Sequence, residues 1–226
     1  MKFTYYGHAC FAVEVAGKKL LFDPFITPNQ LAQEIDATAI KADFILATHG
    51  HGDHVADLVD MARQTGATVI APYEVGSWFE KKGLQNIQAL NHGGGGEFEF
   101  GRVKLTAAVH SSSMPDGSYG GNPCGFTIES KDGNFYYSGD TALTLDMKLI
   151  ADDLKLDFAV LPIGDHFTMG IADALRAADF VCVDRIVGVH YDTFPLIKID
   201  HDKARESAKQ AGKKLFLLKI GETVDL

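Results

Sequence analysis

The sequence has only 3 cysteines in 226 residues, and none of them shows the CxxC spacing of a redox or zinc motif. Cys10, Cys124 and Cys182 are far apart and flanked by apolar residues, which indicates buried thiols in a reducing compartment. No apolar run approaches the roughly eighteen residues of a membrane span, and the N-terminal residues lack the apolar segment of a signal peptide. We therefore expect a cytoplasmic protein without a membrane partner.

Basic residues are also scarce, with 21 Lys and Arg against 30 Asp and Glu and a formal net charge of −9. An acidic chain repels polyanions, and no basic run offers a nucleic-acid groove, so we expect a small-molecule substrate rather than nucleic acid. The composition is 46% hydrophobic, and no linker or low-complexity tract is present. These properties predict one domain over residues 1–226 and leave a homo-oligomer open.

The sequence does contain a regular succession of strand and helix patterns. The first part predicts a meander at residues 2–6, 10–15 and 19–22, then buried strands at 43–47 and 68–71 that alternate with helices at 55–66 and 73–82. The centre is rich in strands, at 97–100, 102–109, 124–130 and 134–138. Alternation returns with helices near 145–154, 171–178 and 203–211 and strands at 158–162, 185–189 and 214–218. This order suits two sheets with helices outside them.

The densest chemical signal is the run Thr48-His49-Gly50-His51-Gly52-Asp53-His54, directly after the apolar residues 44–47. A loop at a strand end, made pliable by two glycines, can bring several side chains together. Imidazole suits Zn, Mn, Ni or Fe, and a carboxylate adds a hard oxygen ligand and negative charge. The alternative is a surface loop that is rich in histidine by chance, but HxHxDH is a specific spacing.

Three further polar residues follow apolar strand patterns. His110 follows residues 105–109, Asp140 follows residues 135–139, and His190 follows residues 186–189. Strand ends of a layered α/β domain share one edge, where ligands gather. Each residue alone is more often a hydrogen-bonded core residue, but together with the HxHxDH run they predict one metal site.

These motifs, with Asp23, occur in the order found in the metallo-β-lactamase superfamily, which the whole chain resembles. The resemblance implies a four-layer αβ/βα sandwich with two mixed sheets and helices on the outer faces. It also implies two divalent metal ions, one held by His49, His51 and His110 and the other by Asp53, His54 and His190. Asp140 would bridge both ions, and Asp23 would brace the ligand loops.

Within the superfamily, the chain most closely resembles a compact family of metal-dependent hydrolases related to the ascorbate-6-phosphate lactonase branch. The shared segments are residues 7–11, 23–25, 48–54, 138–141 and 161–170. His54 and Asp140 depart from the antibiotic-degrading lactamases, and His51 stands where diiron oxygen reductases carry glutamate. The chain also leaves little room for the extra segments of glyoxalase II.

Two divalent ions can lower the pKa of a shared water and stabilise a developing oxyanion, which predicts hydrolysis by a bridging hydroxide. The expected substrate is an ester, a lactone or a phosphodiester. Asp53 has one oxygen for a metal and another for the proton of the nucleophile, so we expect it to be catalytic. A metal-dependent nuclease and a non-catalytic metal-stabilised binding protein are the alternatives.

Four histidines lie outside this ligand set. His8, in a turn between the first two strands, could reach the metal edge and contact substrate, although a surface or capping role suits it equally. His166 follows a strand, and we expect it to contact substrate as well. His92 fits a rim position, and His201 precedes a helix whose N-terminus an aspartate is expected to cap.

Overall fold

The computed structural model describes residues 1–226 as 14 strands, six α-helices and two short 3-10 helices. The helices are α1 Gly52–Val55, α2 Leu58–Thr65, α3 Tyr73–Lys81, α4 Met147–Asp153, α5 Ile171–Phe180 and α6 His201–Gln210, and the 3-10 helices are Ala37–Ala39 and Pro195–Ile197. The strands are β1 Lys2–Gly7, β2 Cys10–Val15, β3 Lys18–Phe22, β4 Phe44–Leu46, β5 Thr68–Pro72, β6 Ile87–Leu90, β7 Gly95–Phe98, β8 Gly101–Ala107, β9 Cys124–Ser130, β10 Gly133–Tyr137, β11 Phe158–Pro162, β12 Arg185–Val189, β13 Lys214–Phe216 and β14 Thr223–Asp225.

The strands form two seven-stranded sheets, and both sheets combine antiparallel and parallel strands in the same way. The first sheet has the order β14-β1-β2-β3-β4-β5-β6, and the second has the order β13-β12-β11-β10-β9-β8-β7. Each sheet joins an antiparallel meander to a parallel half, with the change of direction at β3 in the first sheet and at β10 in the second. Parallel strands that end at one edge can present their following loops together, which places the ligand loops side by side.

Three buried clusters divide the protein into four layers. The central cluster packs the inner faces of both sheets and is rich in aromatic rings, including Phe11 stacked on Phe22 at 4.6 Å between centroids. A second cluster lies between the first sheet and helices α2 and α3. A third lies between the second sheet and helices α4, α5 and α6. The predicted αβ/βα sandwich is therefore confirmed. None of the six α-helices has the length and the hydrophobicity that a membrane-spanning helix needs.

Most strand predictions match the structure, and the differences have local causes. The predicted bounds of β2, β11 and β12 are those observed. The single helix expected at 55–66 is instead two helices, because Ala56 and Asp57 separate α1 from α2, and Gly66 ends α2 with a φ of 72°. Strands β6 and β14 are short and contain no fully buried residue, so they lack the buried apolar run by which a strand is recognised.

Candidate metal centre

The polar residues predicted as ligands lie in loops that follow strands of both sheets. Asp23 follows β3, the HxHxDH run follows β4, and Asp140 and His190 follow the parallel strands β10 and β12. The predicted strand 102–109 ends earlier, at Ala107, so His110 lies three residues beyond β8, the same spacing at which Asp140 follows β10. Two backbone hydrogen bonds join the sheets at this edge, from Cys124 N to Thr48 O at 3.0 Å and from His190 N to His8 O at 2.8 Å.

The two glycines of the HxHxDH run serve different needs. Gly50 is tightly enclosed, because a Cβ atom there would meet Ser113 O at 3.0 Å and collide with the sulfur of Met114. Gly52 is the first residue of α1, and a Cβ atom there would meet nothing within 4 Å. Only Gly50 is therefore required by close packing of the loop against the segment that follows His110.

The seven predicted ligands converge. The ligand atoms of His49, His51 and His110 form one group in which all lie within 4.8 Å of one another, and His49, His54 and Asp140 form another. A third group, of four residues within the same distance limit, joins His54 to His8, Asp53 and His190. These groups share His49 and His54, so the structure holds one continuous cluster rather than separate sites.

Asp140 lies at the centre of this cluster. Its Oδ2 atom is 3.0 Å from His190 Nε2, 3.2 Å from His54 Nε2 and 3.6 Å from His110 Nε2. It is the one carboxylate within ion-pair distance of imidazoles from both predicted ligand sets. This position is the one that the resemblance to the superfamily implied for a bridging residue.

The residues present fit a divalent cation. His54 Nε2 and Asp140 Oδ1 are buried and make no hydrogen bond, although His54 Nε2 is 3.2 Å from Asp140 Oδ2. A buried polar atom without a partner is costly, and such atoms in native proteins call for an explanation. Imidazole nitrogens and carboxylate oxygens form the donor set that Zn, Mn, Ni and Fe accept. A cation held between these atoms would satisfy them.

Asp23 braces this cluster from beneath. Its carboxylate is fully buried and accepts four hydrogen bonds: from Thr48 N and Thr48 Oγ1, from His54 Nδ1 at 2.8 Å and from Tyr137 Oη at 2.7 Å. The bond to Nδ1 fixes the His54 ring so that Nε2 faces the cluster. Carboxylates that orient a ligating histidine in this way raise its basicity and fix its tautomer.

Burial and charge set the protonation of the cluster. Burial lowers the pKa of His49 well below its ordinary value, so this ring is neutral at pH 7, the form that binds metals. Burial also works to lower the pKa of His54, but Asp140 and Asp23 outweigh it and raise that pKa well above its usual range. The positive charge of protonated His54 thus partly neutralises the two buried carboxylates, Asp140 and Asp23. A bound cation would replace that proton and neutralise them instead.

His8 is the partner of Asp53. Its ring is 1% exposed, with Nε2 3.0 Å from Asp53 Oδ2 and Nδ1 3.0 Å from Thr193 Oγ1. The Asp53 side chain is 27% exposed, and its Oδ1 makes no hydrogen bond within the protein. Burial alone would raise the pKa of Asp53, but the nearby His54 and His8 lower it by more. The pKa of this carboxyl group is therefore below its ordinary value, and the group is ionised. The buried position excludes the surface role considered for His8, and its contact with substrate stays a prediction.

Backbone strain concentrates at the same place. His8, Asp23 and His190 have φ angles of 55°, 42° and 56°, a left-handed conformation that residues with a side chain seldom adopt. Such strain costs on the order of 1–3 kcal/mol per residue and persists where the surrounding structure enforces it, commonly at functional sites. Each of the three follows a strand and turns its side chain toward the cluster.

Comparison with known proteins agrees with this architecture. A family model described as the beta-lactamase superfamily domain matches residues 18–191. The UPF0173 metal-dependent hydrolases of Flavobacterium johnsoniae and Christiangramia forsetii are 52% and 51% identical, and each alignment covers 100% of both chains. A solved metallo hydrolase from the archaeon Ignicoccus hospitalis superposes with a TM-score of 0.89 at 35% identity, covering 99% of this chain and 97% of the other.

The chain belongs to the family that this model describes, the beta-lactamase superfamily domain. Its full-length likeness to the metal-dependent hydrolases confirms the predicted enzyme class and the resemblance on which it rested. The matched residues 18–191 include all seven predicted ligands and Asp23, whereas His8 precedes the match.

The other histidines of this metal-dependent hydrolase lie outside the cluster. His166 is exposed, its ring is 4.5 Å from that of Phe167, and it lines a cavity of about 560 Å³ that contains none of the seven ligands. His92 Nε2 contacts Pro123 O at 2.8 Å, and His201 Nε2 contacts Asp192 at 2.6 Å. The Asp200 side chain accepts from Lys203 N and so caps α6, as expected.

Sequence reasoning missed two residues that complete the hydrogen bonding of the site. Thr193 lies three residues after His190 and binds the second nitrogen of His8. Tyr137 ends β10 and donates to Asp23 from 114 residues away. Neither residue type is distinctive, and both partners are remote in the sequence. No spacing pattern could have identified them.

Proposed function

We propose that this protein is a hydrolase that uses two divalent metal ions to cleave an ester, a lactone or a phosphodiester. The observation that carries the proposal is the convergence of six imidazoles and two carboxylates, with unpartnered buried ligand atoms at its centre. His49, His51 and His110 would hold one ion, Asp53, His54 and His190 the other, and Asp140 would reach both. When bound, the ions would lower the pKa of a shared water toward neutrality.

In this proposal Asp53 is the proton carrier. Its Oδ2 is held by His8, while its Oδ1 has no protein partner and the side chain is part-exposed. For an ester, the water oxygen forms a bond to the acyl carbon and the bond to the leaving alkoxide breaks. Asp53 receives the proton of the water and returns it to the alkoxide, so protons balance over the cycle.

His8 and Asp23 are positioning residues. Thr193 and the strained backbone fix the His8 ring, which in turn fixes the rotamer of Asp53. Asp23 fixes the ring of His54. Geometry held in this way reduces the reorganisation needed at the reacting atoms. Because the cluster draws on both sheets and these share one buried core, we further propose that they act as a single domain.

Metal content and turnover test the proposal together. The purified protein is stripped with a chelator, reloaded separately with Zn, Mn, Ni or Fe, and assayed on esters, lactones and phosphodiesters. We expect about two metal equivalents per chain in the active form. Asp140→Asn and Asp53→Asn should each lower kcat/KM at least about 100-fold, the scale on which metal ligands and proton carriers contribute.

The matched control is His92→Gln, which alters a histidine outside the cluster. It should retain both metal content and turnover. Wild-type turnover in a variant that lacks both His51 and Asp53, or full activity after complete removal of metal, would refute the proposed function.

A further inference from the structure

Five loops surround the cluster, namely residues 47–51, 108–123, 138–146, 163–170 and 190–200, and we refer to them as the rim loops. They carry an unusual share of exposed apolar side chains. Nine large apolar residues of the chain are exposed, and six of these belong to the rim loops: Val109, Tyr119, Leu145, Phe167, Phe194 and Leu196. Exposed apolar residues scattered singly are ordinary, but a concentration beside a site marks a binding surface.

Positive charge is almost absent from the same loops. Of the 21 Lys and Arg residues in the chain, only Lys198 lies in a rim loop. It lines a cavity together with Lys203 of α6, but the same cavity contains Asp165 and Asp200, and Asp200 forms an ion pair with Lys203. A site that recognises phosphate or carboxylate groups of a substrate normally presents Arg or Lys in pairs or clusters. The rim loops offer no such pair or cluster, so beyond the metal ions an anionic group would find little positive charge.

Hydrogen bonds and ring contacts tie the rim loops to the cluster. Thr141 follows Asp140, and its carbonyl oxygen accepts from Met169 N at 3.0 Å, while its Oγ1 accepts from Val109 N at 2.9 Å. The loops that carry Val109, Leu145 and Phe167 therefore meet beside Asp140.

An aromatic side chain of the rim loops lies beside His8, the partner of Asp53. The ring of Phe194 is 5.4 Å from the ring of His8, which binds the Asp53 carboxylate. Phe194 is exposed, whereas Phe25 is buried and its ring lies 5.5 Å from the same imidazole. The imidazole that binds the part-exposed Asp53 carboxylate is thus packed against two aromatic rings.

We propose that the substrate is an uncharged ester or lactone with an apolar portion that packs against the rim loops. This inference rests on the proposed function and narrows its substrate class. The metal ions would neutralise an anionic group at the reacting centre, but an anionic group beyond that centre would lie among apolar side chains and carboxylates. The apolar portion would bury Leu145, Phe167 and Phe194 in part, and that burial supplies the binding energy. The reaction is the acyl transfer to water balanced above.

Matched substrates test the charge and the chain length separately. The metal-loaded enzyme is assayed on p-nitrophenyl acetate, butyrate and hexanoate, on p-nitrophenyl hemisuccinate, and on bis(p-nitrophenyl) phosphate. Butyrate and hemisuccinate have the same acyl length and differ in a terminal carboxylate. We expect kcat/KM to rise by up to about fourfold for each methylene that becomes buried, and hemisuccinate to react at least tenfold more slowly than butyrate.

Leu145→Ala and Leu149→Ala form a matched pair. Both leucines are highly exposed, at 69% and 62%, but Leu145 lies in a rim loop and Leu149 lies on α4. Leu145→Ala and Phe167→Ala should reduce the ratio of hexanoate to acetate turnover, whereas Leu149→Ala should leave it unchanged. Calorimetric binding of acetohydroxamate and octanohydroxamate gives a readout independent of turnover, and the same variants should reduce only the advantage of the longer chain.

The outcomes separate the two proposals. Turnover without any dependence on chain length, or a preference for hemisuccinate or the phosphodiester, would overturn the substrate class and leave the hydrolase intact. A change in oligomeric mass in Leu145→Ala or Phe167→Ala, with chain-length dependence unaltered, would instead assign the rim loops to a contact between copies of the chain. Absence of turnover on every substrate by a fully metal-loaded enzyme would overturn the hydrolase and this inference together.

Discussion

Asp23→Asn tests how much of the cluster depends on its buried brace. The carboxylate accepts one hydrogen bond at Oδ1, from Thr48 N, and three at Oδ2, from Thr48 Oγ1, His54 Nδ1 and Tyr137 Oη. An amide in this place does best with its oxygen toward the three donors. Its NH₂ group then faces the backbone N–H of Thr48, and two donors oppose each other with no water to separate them.

The magnitude follows from these four contacts. The buried N–H without an acceptor costs about 1–3 kcal/mol, and each of the three remaining bonds loses about 1 kcal/mol because its acceptor is no longer charged. We therefore expect a loss of about 4–6 kcal/mol in the free energy of unfolding, a large part of the roughly 5–15 kcal/mol that a domain has. Urea unfolding of the metal-free protein, followed by far-UV circular dichroism, measures this quantity.

Metal affinity gives a second readout. Because Asp23 orients the ring of His54, its loss should weaken metal binding about 10- to 100-fold, which competition with a chromogenic chelator measures. Asp57→Asn is the control, since Asp57 also braces a loop, through Ile26 N and Thr27 N, but contacts no histidine. It should cost stability and leave metal affinity unchanged. An Asp23→Asn protein with wild-type stability and wild-type metal affinity would refute this account of the brace.

Three further predictions concern packing, protonation and metal removal. Gly50→Ala should lower the melting temperature and Gly52→Ala should not, because only the first Cβ has neighbours; equal melting temperatures in a thermal scan would contradict the packing argument. Burial and the neighbouring His190 lower the pKa of His8 to about 4, below its value of about 6.5 in the unfolded chain. The stability that depends on neutral His8 is therefore present above about pH 6.5 and is lost as the pH falls toward 4. In the metal-free protein His8→Gln should flatten the fall in unfolding free energy over this window, and an unchanged slope would show that other groups cause it. If the ion was present at about 1,000 times its dissociation constant, removing it with a chelator should lower the melting temperature by about 8–16 °C. A calorimetric scan that shows no shift would contradict metal binding to the folded cluster.

The sequence predicts individual strands correctly where an apolar run in the sequence corresponds to a strand that is buried in the fold. Strand β11 and the part of β12 after Arg185 are apolar because helices cover one face and the other sheet covers the opposite face, and the predicted bounds of both strands match. Strand β14 and strand β6 are recognisable only from their pairing with β1 and β5. Both strands are short and contain no fully buried residue, so their own sequence gives little periodic signal.

The sequence by itself determined the chemistry of the candidate site. The HxHxDH spacing and the polar residues that follow apolar strands predict the members of the metal cluster, because strand ends of a layered domain meet at one edge. Tertiary structure alone decided how these members are arranged. It placed Asp140 between imidazoles of both sets, paired His8 with Asp53 through a bond across 45 residues, and gave Asp23 its four donors. Such contacts join residues that no local pattern relates, since they depend on two sheets packing face to face and on strained turns that only the complete fold can hold.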